Sequence, residues 1–136
     1  MGALSDIRKT VVLNAPVEKV WKAVATAEGL AAWWVPSTFK PALGHEFVLH
    51  MGQFGDSPCR VTEIDPPNRL VFAWGKDWHL AFVLRDLGGK TELTLIHSGW
   101  DSDKVTEFNQ PHASIRAFME SGWGDLPKLR AYVERQ

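Results

Sequence analysis

Hydrophobic positions change their period twice along the chain, and each change marks a different kind of element. The segment "IRKTVVLNA" (7–15) is β-branched and partly alternating, the pattern of a strand. Pro16 stands where a proline opens a helix, and Val17, Val20, Trp21 and Val24 follow at i, i+3, i+4 and i+7, a single apolar stripe on a helical surface. "AEGLAAWW" reads as a second, short helical turn, weakened by Gly29 and stopped by Pro36. Trp33 and Trp34 therefore sit where a helix runs into a loop.

From 45 to 99 the period becomes two. "HEFVLHM" sets Phe47, Leu49 and Met51 against Glu46 and His50, and "RLVFAW" sets out Leu70, Phe72 and Trp74 in the same way. "WHLAFVLRD" alternates Trp78, Leu80, Phe82 and Leu84, and "TELTLIHS" alternates Leu93 and Leu95 against Glu92 and Thr94. "CRVTEI" supplies a further strand between "FGDSP" and "DPPN", whose Gly and Pro are turn formers, with Asp56 and Asp77 read as turn residues. Connections as short as "GKD" and "LGGK" favour antiparallel hairpins, so the middle of the chain reads as a meander.

After the polar "HSGWDSD", a spacing of three and four returns from about His112, through Ile115, Phe118, Met119, Gly122, Trp123, Leu126, Leu129 and Val133. As one helix, this segment would be about 35 Å long at 1.5 Å per residue and would form the main lid on the sheet. Gly122, Gly124 and Pro127 predict a kink or break between 122 and 127, since proline lacks the amide that bonds back four residues. The order of elements is that of an α+β fold in which a curved antiparallel sheet of six or seven strands grips a C-terminal helix.

Composition adds limits. With 136 residues, 45% hydrophobic and 23% charged, the chain is expected to form one domain over 1–136 rather than a disordered or coiled-coil state. Fifteen basic against sixteen acidic residues, with no Lys/Arg cluster, argue against nucleic acid as a partner. No run reaches membrane-spanning length and "MGALSDIRK" has no signal-peptide stretch, so no membrane insertion is expected. The single Cys59 reads as a small apolar strand residue and points to a cytoplasmic location. Seven tryptophans and seven phenylalanines are the compositional oddity.

"NAPVEKVWKAVATAEGLAAWW", "EIDPPNRLVFAW", "TELTLIHSGW" and "GWGDLPKLRAYVE" together resemble the activator of heat-shock-protein-90 ATPase homologue-like family. That family lies in the START-like (SRPBCC, birch-pollen-allergen-like) superfamily, and the resemblance runs from about Asp6 to Glu134. It implies a helix-grip fold with a largely apolar cavity between sheet and C-terminal helix, closed at one end by the two short helices. Trp33 and Trp34 would then be mouth and wall residues, one facing inward and one packing outward. Simple core packing of both is the alternative.

Little catalytic chemistry is legible. His45, His50, His79, His97 and His112 have no zinc-type spacing to Cys or carboxylates, so no metal and no cofactor is expected. There is no GxSxG, no phosphate-cradling GxxxxGK[ST] and no GxGxxG after a strand. Alternation puts His97 on the apolar face, as a hydrogen-bonded wall residue or as an acid/base group, and puts His79 on the outer face. The carboxylates of "DSDKVTE" read as a solvated loop.

The leading expectation is a binding domain for a small hydrophobic molecule, aromatic or lipid-like. Phase assigns the lining to Phe47, Phe72, Trp74, Leu80, Phe82, Leu95, His97, Phe118, Met119 and Trp123, with Trp33, Trp34 and Phe39 at the mouth. The resemblance places that binding role in a stress response and implies two further readings: a protein-interaction module acting as a co-chaperone that stimulates a chaperone ATPase, and a cyclase- or hydrolase-type enzyme using the same cavity. A monomer or weak homodimer is expected.

Overall fold

In the computed structural model, which describes residues 2–52, 55–106 and 109–135, the first strand is not paired with its sequence neighbours. β1 (Ile7–Leu13) runs antiparallel to the last strand, matching Val11 to Leu93 and Ile7 to His97. Between them lie α1 (Val17–Val24), α2 (Ala27–Trp33), β2 (Glu46–His50), β3 (Asp56–Asp65), β4 (Arg69–Trp74), β5 (Trp78–Asp86) and β6 (Thr91–Ser98). The six strands form one antiparallel sheet in the order β1-β6-β5-β4-β3-β2. α3 (His112–Trp123) and α4 (Pro127–Val133) follow. This is the expected α+β helix-grip arrangement.

Alternation explains why one face of the sheet is covered. Along β6, Thr91, Leu93, Leu95 and His97 are buried while the residues between them are only partly so. Leu70, Phe72 and Trp74 of β4 and Leu80, Phe82 and Leu84 of β5 extend the same face. The register shifts between Val61 and Glu63 in β3, and an extra residue of this kind bends a strand and raises its twist. Such curvature lets the sheet close on the helices.

Three local expectations change. Pro16 is the residue before α1 rather than its first helical position, and its carbonyl accepts from Lys19 and Val20. Asp56 and Pro58 belong to β3, not to a turn; Phe54 of the expected turn lies outside the described residues. The proline is tolerated because the Pro58 carbonyl accepts from Gly75, past the last pair of β4 with β3, so the missing N–H faces no strand partner. Gly29 weakens α2 by propensity, yet a Cβ there would meet the Lys22 carbonyl and Ala23 backbone. The close crossing of α1 and α2 requires it, and the Thr26 side chain caps α2 by accepting from the Gly29 amide at 2.9 Å.

The C-terminal segment breaks where Gly and Pro predicted. Gly124 has φ +48° and Leu126 φ +54°, so the chain turns through the left-handed region before Pro127 opens α4. One helix of about 35 Å is thereby replaced by a three-turn helix of about 18 Å and a shorter one. α3 leans on β1, whereas α4 packs on α1 and α2. Along α3 only the end residues His112 and Trp123 are buried; Ile115 and Met119 are half-buried and Phe118 is 54% exposed. α4 buries Leu129 and Val133 completely or nearly so.

The core therefore depends more on α4 than on α3. Leu129→Ala should cost about 2–5 kcal/mol, as a buried leucine truncation does, and Leu129→Asp should prevent folding because an unpaired charge would enter the core. Ala substitution of exposed Phe118 should change stability far less. Urea unfolding of the three variants checks this order, and a Phe118→Ala loss matching that of Leu129→Ala would contradict it.

Candidate functional site

A groove of about 220 Å³ opens between the end of α2, the C-terminal half of α3 and the start of α4. Its buried wall is made by Trp33, Trp123, Leu126 and Leu129, and its exposed rim by Phe118, Gly122, Pro127 and Lys128. Trp34, Met51 and Met119 complete the lining and are half-buried. The groove lies at the helix break, lined by residues on both sides of the turn at Gly124–Leu126. Leu126 holds a left-handed backbone that disfavours an L side chain by roughly 1–2 kcal/mol, and its side chain is buried against the groove.

The two tryptophans at the end of α2 take different roles. Trp33 donates its indole N–H to the Ala23 carbonyl at 2.8 Å and meets Phe82 edge-on at 6.2 Å, which anchors it to α1 and the sheet. Trp34 stacks on Trp33 at 5.9 Å and bridges to Trp74 at 5.4 Å and Trp123 at 5.1 Å. Both rings line the groove, Trp33 from the core side and Trp34 from a partly exposed position.

Of the residues singled out in the sequence, the structure brings Trp33, Trp34, Phe118, Met119 and Trp123 together at the groove. Phe39, Phe47, Phe72, Trp74, Leu80, Phe82, Leu95 and His97 lie in the packed interior and are not among its lining. Phe39, Phe47 and Phe72 form an edge-on chain with centroids 5.0 and 5.1 Å apart. Period-two phase marks which side chains face the core; it cannot say how much space the opposing helices leave there. Met51, Gly122, Leu126, Pro127, Lys128 and Leu129 were not assigned to a site, although the predicted break at 122–127 was a signal for Gly122, Leu126 and Pro127.

A second aromatic cluster lies deeper. Trp78 contacts Trp74, His97, Trp100 and His112, with centroid distances of 4.5–5.5 Å. His97 is fully buried, and its Nδ1 accepts the Trp123 indole N–H at 3.2 Å. Burial, assisted by the Arg116 guanidinium, pushes this imidazole down to about 3, so it is neutral at physiological pH. His112 is also buried: its Nδ1 accepts from the Asp101 amide at 3.1 Å and its Nε2 lies 3.6 Å from Asp77. Burial lowers its pKa although the Asp77 carboxylate opposes the shift. Asp77 also receives Lys104 at 3.3 Å, so this cluster ties the start of α3 to the β4–β5 turn.

His79 is exposed on the outer face, and Cys59 is buried. Asp103 of the acidic loop is exposed and Glu107 lies outside the described residues. Among the described residues, no three His, Cys, Asp or Glu side chains converge as metal ligands. No described helix is long and apolar enough to cross a membrane.

Residues 14–134 match the family described as "Activator of Hsp90 ATPase homolog 1-like protein". Among solved structures, Bacillus halodurans protein BH1534 is 42% identical, with 98% of this chain and 100% of that chain covered and a TM-score of 0.86. The Aha1 dimer from Colwellia psychrerythraea shares the fold at 20% identity, covering 96% and 97% of the two chains with a TM-score of 0.77. CalU16 from Micromonospora echinospora shares it at 20% identity, covering 95% and 75% with a TM-score of 0.73. No match was found among curated proteins.

His97 makes stability depend on pH in a defined direction. Its pKa is 6.5 in a model peptide and about 3 when folded, so between these values the unfolded chain binds the extra proton. Stability from this group is complete above pH 6.5 and falls as pH drops toward 3, by about 1.4 kcal/mol per pH unit within the window. His97→Gln, which keeps an acceptor for Trp123 but does not titrate, should be less stable than wild type at pH 7 and should lose less on going from pH 6 to pH 4. Urea unfolding across that range measures the difference; equal slopes would show that His97 is not held neutral.

Proposed function

The chain belongs to the Activator of Hsp90 ATPase homolog 1-like family, and on that footing we propose that it binds a small apolar molecule, aromatic or lipid-like, in the groove beside the helix break. The groove itself carries this reading. Its volume of about 220 Å³ exceeds the roughly 150 Å³ of an apolar cavity that accepts a benzene ring. Three indoles and a phenyl ring offer flat apolar surface, and Met51 and Met119 add side chains that adapt to irregular shapes. Among the described residues Lys128, at the rim, is the one charged side chain in the lining, which suits a neutral or anionic ligand better than a cation.

The two alternatives have less to rest on. A co-chaperone role draws on the family description, while the likeness to the Aha1 dimer, at 20% identity, bears on fold alone. An enzymatic role would need an acid/base group at the groove, and among the described residues Lys128 is the sole titratable side chain in its lining. Cys59, the one cysteine of the sequence, is buried, which fits a reducing, cytoplasmic setting.

Naphthalene and decanoate should each quench the tryptophan fluorescence saturably. Trp34→Ala should weaken binding by up to about tenfold, the scale of an aromatic contact, with a smaller effect on folding than a change at anchored Trp33. Amide exchange over residues 28–40 should slow when ligand is bound. Absence of saturation with either probe, or unaltered affinity in Trp34→Ala, would remove the groove as the site.

A further inference from the structure

Behind the groove, buried hydrogen-bond donors outnumber the acceptors available to them. Trp74 on β4, Trp78 on β5 and His97 on β6 form a compact trio, with ring centroids 4.8, 5.1 and 5.4 Å apart. They are 1%, 6% and 0% exposed. Because His97 Nδ1 accepts the Trp123 indole N–H, the proton of the neutral imidazole resides on Nε2. An indole N–H can only donate. Trp74 Nε1, Trp78 Nε1 and His97 Nε2 all lack a hydrogen-bond partner among the described residues. Folded proteins rarely leave a buried donor bare, because its lost hydration is then uncompensated. Three such donors on touching rings form a set that an acceptor would complete.

The trio lies one ring behind the groove. Trp34, which lines the groove, is 5.4 Å from Trp74, and Trp123, which also lines it, bonds directly to His97. We infer that Trp74, Trp78 and His97 recognise the oxygen of a neutral carbonyl on a molecule whose apolar body occupies the groove. This specificity rests on the groove being the ligand site. A carbonyl oxygen has two lone pairs and no proton, so it matches a donor-only surface. A carboxylate fits less well: the trio contains no cation, and the nearby Arg116 is engaged by the Ser5 carbonyl at 2.8 Å and Glu120 at 3.4 Å. Asp77 Oδ2, next to Trp78 in sequence, is a buried acceptor that also lacks a hydrogen-bond partner among the described residues, 3.6 Å from His112 Nε2; it adds negative charge and leaves three donors to one acceptor. Entry of the oxygen requires the half-buried Trp34 ring to swing aside, which leaves the Trp123–His97 hydrogen bond intact.

Acetophenone and ethylbenzene have the same shape and differ by one carbonyl, so they separate this inference from the groove reading. Both are titrated into ¹⁵N-labelled protein while the indole N–H signals are followed, in wild type, Trp74→Phe and Trp78→Phe. Acetophenone should move the Trp74 and Trp78 indole signals downfield saturably, and ethylbenzene should not. Each Trp→Phe change should weaken acetophenone by about 3- to 10-fold, as loss of one hydrogen bond does, and ethylbenzene by less than about twofold. If a variant fails to fold, the wild-type comparison decides alone. Saturable binding of both ligands without a downfield shift for the ketone overturns the carbonyl assignment, leaves the groove reading standing and assigns the donors to interior water. Saturable binding of neither overturns both.

Discussion

The break between α3 and α4 is the constraint on which the rest of this molecule depends. Gly124 supplies the positive φ that an L side chain resists, Leu126 is held in a left-handed conformation as well, and Pro127 restarts the helix. Because the chain turns there, Leu129 and Val133 reach the core against α1 and α2, while α3 is left leaning on the edge strand β1. A continuous helix could not do both. The space left at the bend is the groove.

The aromatic side chains convert that space into a graded environment. Trp33 is locked by its hydrogen bond to Ala23 and its contact with Phe82, so one wall is rigid. Trp34, half-buried and in contact with Trp33, Trp74 and Trp123, links that wall to the interior cluster. At the outer rim Phe118 stands on a helix whose middle is poorly buried, the kind of segment that opens at lower free energy than a central strand. Rigidity and looseness therefore meet along a single chain of rings, from the sheet to the solvent.

Polar groups inside this apolar body are arranged by partner rather than by charge. His97 is neutral because burial disfavours the imidazolium, and Trp123 occupies its Nδ1, which fixes the tautomer. His112 uses both ring nitrogens, one facing a backbone amide and one near Asp77, so that the first turn of α3 is tied to the β4–β5 turn. Two histidines on neighbouring elements thus hold opposite ends of α3. Neither position resembles an exposed acid/base group, which directs the functional reading toward recognition.

The sequence by itself determined the elements whose signal is local. β4, β5 and β6 coincide with "RLVFAW", "WHLAFVLRD" and "TELTLIHS", because strict alternation and short turns leave one register that buries the apolar set. The two short helices and the break near Gly124–Pro127 were equally legible from periodicity and from the chemistry of Gly and Pro. The placing of His97 on the inner face followed from the same alternation. Tertiary structure alone decided what those inner faces meet. Phe47, Phe72, Leu80, Phe82 and Leu95 share the phase of a cavity wall, yet they are packed, while Leu126, Lys128 and Leu129 line the open space. It also required Gly29 for the crossing of α1 over α2 and brought Trp123 to His97 across 26 residues of sequence. The physical reason is that periodicity records the direction of a side chain relative to its own backbone, whereas filled or empty space depends on how far the opposing element stands away, a distance that no local pattern encodes.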